Sequence, residues 1–254
     1  MTEKKCVAIT GAARGLGLAT ARLMLGRDWR VALLDRDAEE LDRAAPALPD
    51  AVAVTCDVSD PAQVDAAIAE VLGWSGRLDA LVNNAAIADF RPMEQTDFAL
   101  WRRIMEVNLD GVFLMSQAAM PHLRRTRGAI VNVSSISGLR ASTLRTAYGT
   151  SKAAVMHLTR QQAAEAGEWG VRANCVAPGP MDTAMARAVH SAAIRAAYHD
   201  AIPLNRYGGE DEVAEAIAFL CSDKASYITG QILSADGGFE ATGVGLPALR
   251  GTAD

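Results

Sequence analysis

Cysteine is scarce in this chain of 254 residues, and its spacing argues against two common kinds of site. No two of the four cysteines form a C-x-x-C pair, and three of them lie in apolar runs. Such positions favour buried thiols over zinc ligands or a disulfide framework. A chain of this length buries enough apolar surface to be stable without disulfide bonds. The four residues are Cys6, Cys56, Cys175 and Cys221.

Long apolar runs and an excess of basic charge are also absent. No apolar stretch is long enough to span a membrane, and the first residues lead directly into a predicted strand without a signal-peptide core. We therefore expect a cytoplasmic protein. The net charge of −5 argues against general binding to nucleic acids or membrane surfaces. The four histidines are scattered along the chain, so no metal site is predicted.

What the chain does contain is a regular alternation of short apolar runs with helical patterns. The runs are rich in valine, isoleucine and alanine, as is typical of strands covered on both faces. Strict alternation of strand and helix predicts an α/β fold with a parallel, doubly wound sheet and helices on both faces. The predicted strands are Cys6–Thr10, Arg30–Asp35, Ala51–Cys56, Ala80–Asn83, Ala129–Ser134, Arg172–Val176 and Gln231–Ser234.

Capping residues predict where several helices begin. Asp60-Pro61 places a capping acid before a proline at the first helical position, and Asp97 precedes the long helical run Phe98–Leu123. There is no linker and no internal repeat, so residues 1–238 are predicted to form one domain. Residues 239–254 are predicted to follow it as an irregular tail. Shorter helices are predicted over Leu18–Gly26 and Asp211–Cys221.

A glycine-rich turn joins the first predicted strand to the first helix. Its spacing is G-x-x-x-G-x-G, which differs from the G-x-G-x-x-G of larger dehydrogenases. Glycines permit the tight turn and let the backbone approach a pyrophosphate, while the helix N-terminus supplies free N–H groups. The position of the turn between a strand and a helix therefore predicts a dinucleotide site. Its candidate residues are Gly11, Arg14, Gly15, Leu16 and Gly17.

Asp35 ends the second predicted strand, where a carboxylate binds the adenosine ribose hydroxyls of a dinucleotide. It would also repel a 2′-phosphate, by about 4 kcal/mol for unit charges 4 Å apart at an effective dielectric constant of 20. Arg14 and Arg36 act in the opposite sense, because both could reach a 2′-phosphate. We give Asp35 more weight, so NAD is the predicted cofactor and NADP the alternative. Asp57-Val58, after the third strand, suits a turn that contacts adenine, although helix capping explains Asp57 equally well.

Several polar residues form a candidate proton-transfer site. Tyr148 and Lys152 are four residues apart in a helical run, so they share one face. A tyrosine titrates near pH 10, and a neighbouring ammonium or an oxidised nicotinamide would lower its pKa. Ser135 follows a strand at its carboxyl end, where open α/β sheets bind ligands, and so does Asn83-Asn84. Asn108 lies in an apolar helical stretch, where an amide is costly unless it is hydrogen-bonded.

In order and spacing, these motifs resemble the short-chain dehydrogenase/reductase family over almost the whole chain. The resemblance implies a single-domain, seven-stranded Rossmann fold and a nicotinamide cofactor. It also implies a homotetramer formed through two long helices, here about residues 98–123 and 148–167. The chain departs from the family at Ala86, because the usual Asn-Asn-Ala-Gly reads Asn-Asn-Ala-Ala.

The same resemblance implies roles for four catalytic residues. Tyr148 would be the general acid/base, and Lys152 would bind the nicotinamide ribose hydroxyls and tune Tyr148. Ser135 would hydrogen-bond the reacting oxygen, and Asn108 would position a water in a proton relay. The residues implied beside the cofactor, in addition to Tyr148 and Lys152, are Asn83, Asn84, Pro178, Gly179 and Thr183.

By the same resemblance, the substrate pocket would draw on residues 88–92, 137–145 and a substrate-covering segment, 181–207. Arg145 lies three residues before Tyr148, where relatives that act on hydroxy acids can carry a cation. A guanidinium there suits a carboxylate, phosphate or sulfonate, and a solvent-exposed arginine is the alternative. Arg91 and Arg140 could contribute to the same anion site. The candidate substrate-binding residues are Ser135, Ser137, Arg145 and Tyr148.

The expected function is therefore hydride transfer between NAD(H) and a secondary alcohol or its ketone. The substrate would be a small polar or anionic molecule such as a hydroxy acid or a sugar. NADPH-dependent reduction of a 3-oxoacyl group on an acyl carrier is the alternative within the family. A catalytically silent cofactor-binding sensor is the alternative of another class, and it is disfavoured because all four catalytic positions are filled. A nucleotide-sugar epimerase is disfavoured because the chain is too short for the larger substrate domain.

Overall fold

The computed structural model describes residues 4–243, and within them seven parallel strands form one sheet. The strand order is β3-β2-β1-β4-β5-β6-β7, with the chain crossing from one half of the sheet to the other between β3 and β4. This order confirms the predicted doubly wound Rossmann fold. The strands are β1 Cys6–Thr10, β2 Arg30–Asp35, β3 Ala51–Thr55, β4 Ala80–Asn83, β5 Ala129–Val133, β6 Arg172–Pro178 and β7 Ile232–Ala235.

The predicted bounds of the strands β1, β2 and β4 are confirmed, while β3, β5, β6 and β7 differ at their ends. The largest difference is at β6, which continues two residues beyond the predicted end at Val176. Ala177 and Pro178 remain in the sheet because they pair with Ser234 and Ala235 of β7. Proline is tolerated at the end of a strand, where its missing N–H costs no ladder hydrogen bond.

Helices cover both faces of the sheet. Val7 and Ile9 of β1 face one apolar layer, while Cys6 and Ala8 face the other, because successive residues of a strand point to opposite sides. All four cysteines are buried and free, as predicted. The helices are α1 Gly15–Gly26, α2 Ala38–Ala44, α3 Pro61–Ser75, α4 Phe98–Met105, α5 Gly111–Thr126, α6 Ile136–Leu139, α7 Thr146–Ala166, α8 Ala184–Val189, α9 Ala192–Ala201 and α10 Glu210–Cys221.

The long helix predicted from residue 98 is not uniform. A π-helical turn over Glu106–Asp110 separates α4 from α5, and Asn108 lies in its middle. Such turns are rare and are frequently found at functional sites. At its beginning the helix follows the prediction, because the Asp97 carboxylate accepts a hydrogen bond from the N–H of Leu100.

A buried amide network joins the centre of the sheet to α7. The side chain of Asn132 in β5 donates to the Thr159 hydroxyl at 2.9 Å and to the Gln162 carbonyl oxygen at 2.8 Å. It also accepts a hydrogen bond from the Asn83 amide at 2.9 Å. The network is fully inside the protein, so each of these bonds replaces one that the unfolded chain makes to water.

Over residues 4–243, no helix combines the length and apolar character needed to cross a membrane. The predicted tail 239–254 is described only as far as residue 243, and residues 244–254 lie outside the described part of the chain.

We expect Asn132→Val to lower the free energy of unfolding by about 2 to 3 kcal/mol, because it leaves three buried polar groups without their partner. Valine suits a strand, so the loss is due to the network and not to the backbone. Urea denaturation measures the change. Gln161→Leu, which removes an exposed amide from α7, is the control and should change stability little. Equal stabilities of the two variants would contradict the prediction.

Candidate active site

Two adjoining cavities lie at the carboxyl edge of the sheet. The larger has a volume of about 670 Å³ and is bounded by the glycine-rich turn and the ends of β2, β3 and β4. The smaller, of about 200 Å³, lies between the start of α7 and the segment after β6. Met181 and Thr183 line both, so the two cavities share a wall.

The glycine-rich turn leaves no room for side chains where it approaches the neighbouring chain. Gly11 has a φ of +64°, and a Cβ there would lie 2.8 Å from the Cα of Ala85. A Cβ on Gly17 would lie 2.2 Å from the carbonyl oxygen of Gly11. Arg14, which precedes α1, provides no side-chain cap, and no acid lies in the first turn. The N–H groups of this helix are therefore free to bind an anion.

Asp35 is fixed at the end of β2 by the main chain around it. Its carboxylate accepts hydrogen bonds from the N–H groups of Ala13 and Asp37, both at 3.1 Å. Arg14, one of the two cations expected to favour NADP, forms an ion pair with Asp37 at 2.5 Å. The second cation, Arg36, is exposed and lines the cavity.

The larger cavity fits a nicotinamide dinucleotide. The glycine-rich turn lets the backbone approach a phosphate, and the N-terminus of α1 offers free N–H groups to bind it. The Asp35 carboxylate at the end of β2 lines the same cavity. The predicted cofactor residues that line it are Gly11, Arg14, Gly15, Leu16, Asp35, Arg36, Asp57, Val58, Asn84 and Thr183. The lining residues that were not among the predicted cofactor residues are Cys56, Ala85, Ala86, Ile87, Val107, Met181, Arg187 and Glu210.

The structure does not bring every predicted cofactor residue to this cavity. Asn83, expected beside the cofactor, instead points into the protein and donates to Asn132 and to Ser116, because the last residue of β4 follows the strand alternation. Asn84 leaves the strand and lines the cavity, where its amide donates to the carbonyl oxygens of Thr10 and Gly11. Gly17, Tyr148, Lys152, Pro178 and Gly179 do not line the larger cavity.

Ala86, which replaces the family's glycine, is accommodated without strain. It lies in the loop after β4, and its φ lies outside the left-handed region that favours glycine. Its methyl group contributes to the wall of the larger cavity.

The smaller cavity brings together all four predicted substrate-binding residues, Ser135, Ser137, Arg145 and Tyr148. The ring of Phe90 meets the ring of Tyr148 edge-on, with centroids 5.8 Å apart. The predicted cofactor residue Gly179 also lines this cavity. The other lining residues are Phe90, Ile136, Ser142, Pro180, Met181, Thr183, Ala186, Val189, His190, Tyr198 and Phe239.

Phe239 is a wall residue that the sequence gave no reason to expect, since it falls in the predicted tail. Its carbonyl oxygen accepts a hydrogen bond from the Arg140 guanidinium at 2.7 Å, and its ring lies 6.1 Å from that of Tyr198. Arg140 also donates to the carbonyl oxygen of Thr242. Its guanidinium therefore binds the C-terminal segment and does not line the smaller cavity, where the sequence made it a candidate for an anion site.

The environment of Tyr148 differs from the expected one. Burial raises the pKa of its phenol, and this outweighs a hydrogen bond with Ser135 and the positive charge of Arg145, which both lower it. The expected lowering by Lys152 is not what sets the pKa here. The Lys152 ammonium nitrogen lies 5.8 Å from the centroid of the Tyr148 ring.

Lys152 is buried and lines neither of the two cavities. Its ammonium donates to the carbonyl oxygen of Val133 at 2.9 Å, and the Ser134 hydroxyl donates to the carbonyl oxygen of Lys152 itself. Burial lowers the pKa of Lys152 to about 8. The residue therefore carries a charge at neutral pH that the fold accommodates at a cost.

Asn108 is completely buried, and its amide is fully engaged as a donor. The two N–H groups donate to the carbonyl oxygen of Ile87 at 2.9 Å and to the Ser151 hydroxyl at 3.1 Å. Its oxygen accepts a hydrogen bond from the N–H of Ile87 at 2.8 Å. The Ser151 hydroxyl in turn donates to the carbonyl oxygen of Tyr148. Hydrogen bonds to Ile87, in the loop after β4, and to Ser151 of α7 thus satisfy the buried amide of Asn108.

Comparison with known proteins gives a consistent result. A family model described as enoyl-(acyl carrier protein) reductase matches residues 11–240. The cis-4-hydroxycyclohexanecarboxylate dehydrogenase of Sinomonas cyclohexanicum is 42% identical over 94% of this chain and 97% of its own length. The meso-2,3-butanediol dehydrogenase of Serratia marcescens is 40% identical over 94% of this chain and 96% of its own.

A solved structure agrees with the sequence relatives. The crystal structure of levodione reductase superposes with a TM-score of 0.89 at 33% identity, covering 94% of this chain and 98% of that one. This chain itself combines the parallel seven-stranded sheet, the glycine-rich turn and the Tyr148–Lys152 pair. The protein therefore belongs to the short-chain dehydrogenase/reductase family, in its type of about 250 residues.

Proposed function

We propose that the protein transfers a hydride between NAD(H) and a secondary alcohol or its ketone. The observation that carries the proposal is the position of Ser135 and Tyr148 in a small cavity that shares a wall with the dinucleotide-sized cavity. A reacting carbon in the small cavity can thus lie next to a nicotinamide ring in the large one. The two relatives described above are both named as dehydrogenases of hydroxylated compounds, which supports this reaction.

The choice of NAD rests on the carboxylate of Asp35. Its position at the end of β2 suits hydrogen bonds to the two ribose hydroxyls of the adenosine, and its charge opposes a 2′-phosphate. The ion pair between Arg14 and Asp37 weakens one of the two cations that would favour NADP. Arg36 remains as the residue through which the alternative, NADPH-dependent reduction of a 3-oxoacyl group, would gain support.

Tyr148 and Ser135 act on the oxygen of the substrate. A bound nicotinamide accepts the hydride from an alcohol or donates it to a ketone. Tyr148 takes the hydroxyl proton in the first direction and returns it in the second. Ser135 donates a hydrogen bond to the same oxygen and holds it against the phenol. Because burial raises the pKa of Tyr148, its neutral form dominates at pH 7, and alcohol oxidation should therefore accelerate at alkaline pH while ketone reduction does not.

Lys152 and Asn108 support Ser135 and Tyr148 without lining the smaller cavity themselves. Lys152 lies one helical turn beyond Tyr148, with its ammonium on the carbonyl oxygen of Val133 at the end of β5, and this ammonium would bind the nicotinamide ribose hydroxyls. Asn108 is a positioning residue, because its amide fixes Ile87 in the wall of the larger cavity and Ser151 next to Tyr148. Pro178, Gly179 and Thr183 complete the proposed nicotinamide end of the site.

The proposal extends to assembly and location. Phe98 in α4 is 75% exposed and Phe113 in α5 is 48% exposed, so the long helix presents apolar surface that a homotetramer would cover. Four free, buried thiols suit a reducing cytoplasm.

We expect the protein to bind NADH more tightly than NADPH, and Asp35→Ala to weaken NADH binding about tenfold or more through the loss of charge-assisted hydrogen bonds. Fluorescence titration of each cofactor measures both effects. Asp42→Ala removes an exposed carboxylate from α2 nearby and should leave both affinities unchanged. Preference for NADPH in the wild type would overturn the choice of NAD.

Tyr148→Phe should reduce kcat by about 10²- to 10⁴-fold in both directions, the usual contribution of a general acid or base. Binding of NADH should remain within about twofold, because the ring and its contact with Phe90 are retained. Initial rates with a simple secondary alcohol measure the loss, and Tyr227→Phe, at a fully exposed tyrosine, is the control. A variant that keeps more than a tenth of the activity would rule out Tyr148 as the proton donor.

The burial of Lys152 has a measurable consequence for stability. Its folded pKa of about 8 lies below the ordinary value of 10.5, so the unfolded chain binds more protons between these pH values. The penalty for burying the ammonium is therefore fully present below pH 8 and is relieved as the pH rises towards 10.5.

Lys152→Met should for this reason stabilise the protein relative to the wild type most strongly at neutral pH. The difference between the two free energies of unfolding should shrink as the pH rises above about 8. Taking the difference cancels the titration of Cys6, Cys56 and Cys221, to whose pKa values Lys152 does not contribute. Chemical denaturation at a series of pH values tests this, and a difference that stays constant from pH 7 to pH 10 would disprove the penalty.

A further inference from the structure

Arg145 occupies an unusual electrostatic position in the smaller cavity. It directly precedes α7, it is half-buried, and its guanidinium carbon lies 4.1 Å from the centroid of the Phe90 ring. The contact with an aromatic face orients the guanidinium but does not neutralise its charge. Among the residues that the structure describes, no carboxylate forms an ion pair with Arg145.

The nearest acids along the surrounding segments are occupied by other cations. Asp89, in the same loop as Phe90, pairs with Arg91, whose Nε lies 2.7 Å from the carboxylate. Asp182, beyond β6, pairs with Arg187 and Arg195, both at 3.0 Å. Arg91 is thereby excluded from the anion site for which the sequence made it a candidate. Asp89 and Asp182 are thus paired with cations other than Arg145.

The lining of the cavity reinforces this imbalance. Its described wall contains no acidic side chain, and Arg145 is its one residue with a permanent charge. His190 also lines the cavity, and its pKa is lowered by burial and by the positive charges of Arg145 and Arg195, so the imidazole is neutral at pH 7. Its Nδ1 lies 2.9 Å from the Tyr207 hydroxyl, which fixes the ring.

The backbone holds Arg145 in place. Leu144 has a φ of +63°, which a leucine adopts only where its surroundings impose it. Its carbonyl oxygen accepts a hydrogen bond from the N–H of Arg91 at 3.1 Å. This bond ties the loop that carries Phe90 to the loop that ends at Arg145. The guanidinium and the ring beneath it are therefore prepared in advance of any ligand, which reduces the entropic cost of binding.

The other residues that line the smaller cavity indicate which uncharged groups a bound anion would carry. Phe90, Tyr198 and Phe239 present aromatic surface, and the volume of about 200 Å³ suits a body the size of one six-membered ring. Tyr148 lies three residues after Arg145 at the start of α7, so both side chains project from the same side of the helix. The N-terminal end of α7 would thus bind the reacting oxygen of a ligand through Tyr148 and a second polar group through Arg145.

We propose that Arg145 forms an anion subsite and that the substrate is a small secondary alcohol, or its ketone, with a carboxylate or sulfonate on an apolar body. The inference rests on the proposed function, to which it adds the class of substrate. The hydroxyl or carbonyl lies at Ser135 and Tyr148, the apolar body lies against Phe90 and Phe239, and the anion pairs with Arg145.

The test compares isosteric substrates that differ in charge. We would measure kcat and KM of the enzyme with NAD for 4-hydroxycyclohexanecarboxylate, for the corresponding carboxamide and sulfonate, and for cyclohexanol. The wild type should favour the anions over the carboxamide about tenfold or more. Arg145→Gln should lower kcat/KM for the anions by about 10- to 100-fold, mainly through KM, and change that for the carboxamide by less than about threefold. Arg145→Lys should restore part of the loss, because it keeps the charge without the planar fork.

Matched controls separate binding from folding. Arg125→Gln removes an exposed cation from the end of α5 and should leave every constant unchanged. Unchanged NADH binding by Arg145→Gln shows that the variant is folded. Cyclohexanecarboxylate and cyclohexanesulfonate, which cannot react, should inhibit the wild type competitively and the variant at least tenfold more weakly. Whichever of the two inhibits more strongly identifies the preferred anion.

The two ways of failing are distinct. If cyclohexanol or the carboxamide is oxidised as well as the anions, or if Arg145→Gln affects charged and neutral substrates equally, the anion subsite is wrong and the dehydrogenase function stands. If none of the four alcohols is oxidised with NAD or NADP, and none of their ketones is reduced, the proposed function falls and the anion subsite falls with it.

Discussion

The active site depends on the hydrogen bonds of one buried amide. Asn108 pairs with both the N–H and the carbonyl oxygen of Ile87, as a neighbouring strand would, and it also donates to Ser151. Ile87 belongs to the wall of the dinucleotide-sized cavity, and Ser151 is bonded to the backbone of Tyr148. The Asn108 amide thus links the wall of the larger cavity to the backbone of Tyr148. The π-helical turn around it coincides with this task, since such turns are frequently found at functional sites.

A second constraint is the cost of charge beneath the site. Lys152 is buried with its ammonium on a backbone carbonyl, and its pKa falls to about 8 as a result. An apolar residue there would suit the core better, so a buried cation at this position lowers the stability of the fold. The amide network of Asn132 lies behind the same helix and satisfies its polar groups within the protein. Helix α7 therefore carries both the hydrogen-bonded partners of Asn132 and the buried ammonium of Lys152.

The sequence was sufficient for the sheet, because strands buried on both faces read as apolar runs and their alternation with helices fixes the topology. It also marked Asn108, since an amide in an apolar helix needs partners. It could not show that Asn83 bonds to Ser116 and Asn132, because strand alternation does not identify which neighbouring polar groups lie on the same face. The Asp89–Arg91 pair spans only two residues of the chain and was open to prediction from the sequence. The sequence could not show that Arg140 binds the Phe239 carbonyl oxygen, since that contact joins residues 99 positions apart. For the same reason Phe239 escaped notice as a wall residue.

Met181 and Thr183 border both cavities, and this shared partition bears on how the two ligands influence each other. A ligand that shifts either side chain changes the shape offered to the second ligand. Thermodynamic linkage requires the effect to be mutual, so each ligand alters the affinity of the other by the same factor. Cooperativity between cofactor and substrate, and with it the order in which they are taken up and released during turnover, is then a property of two residues after β6, Met181 and Thr183.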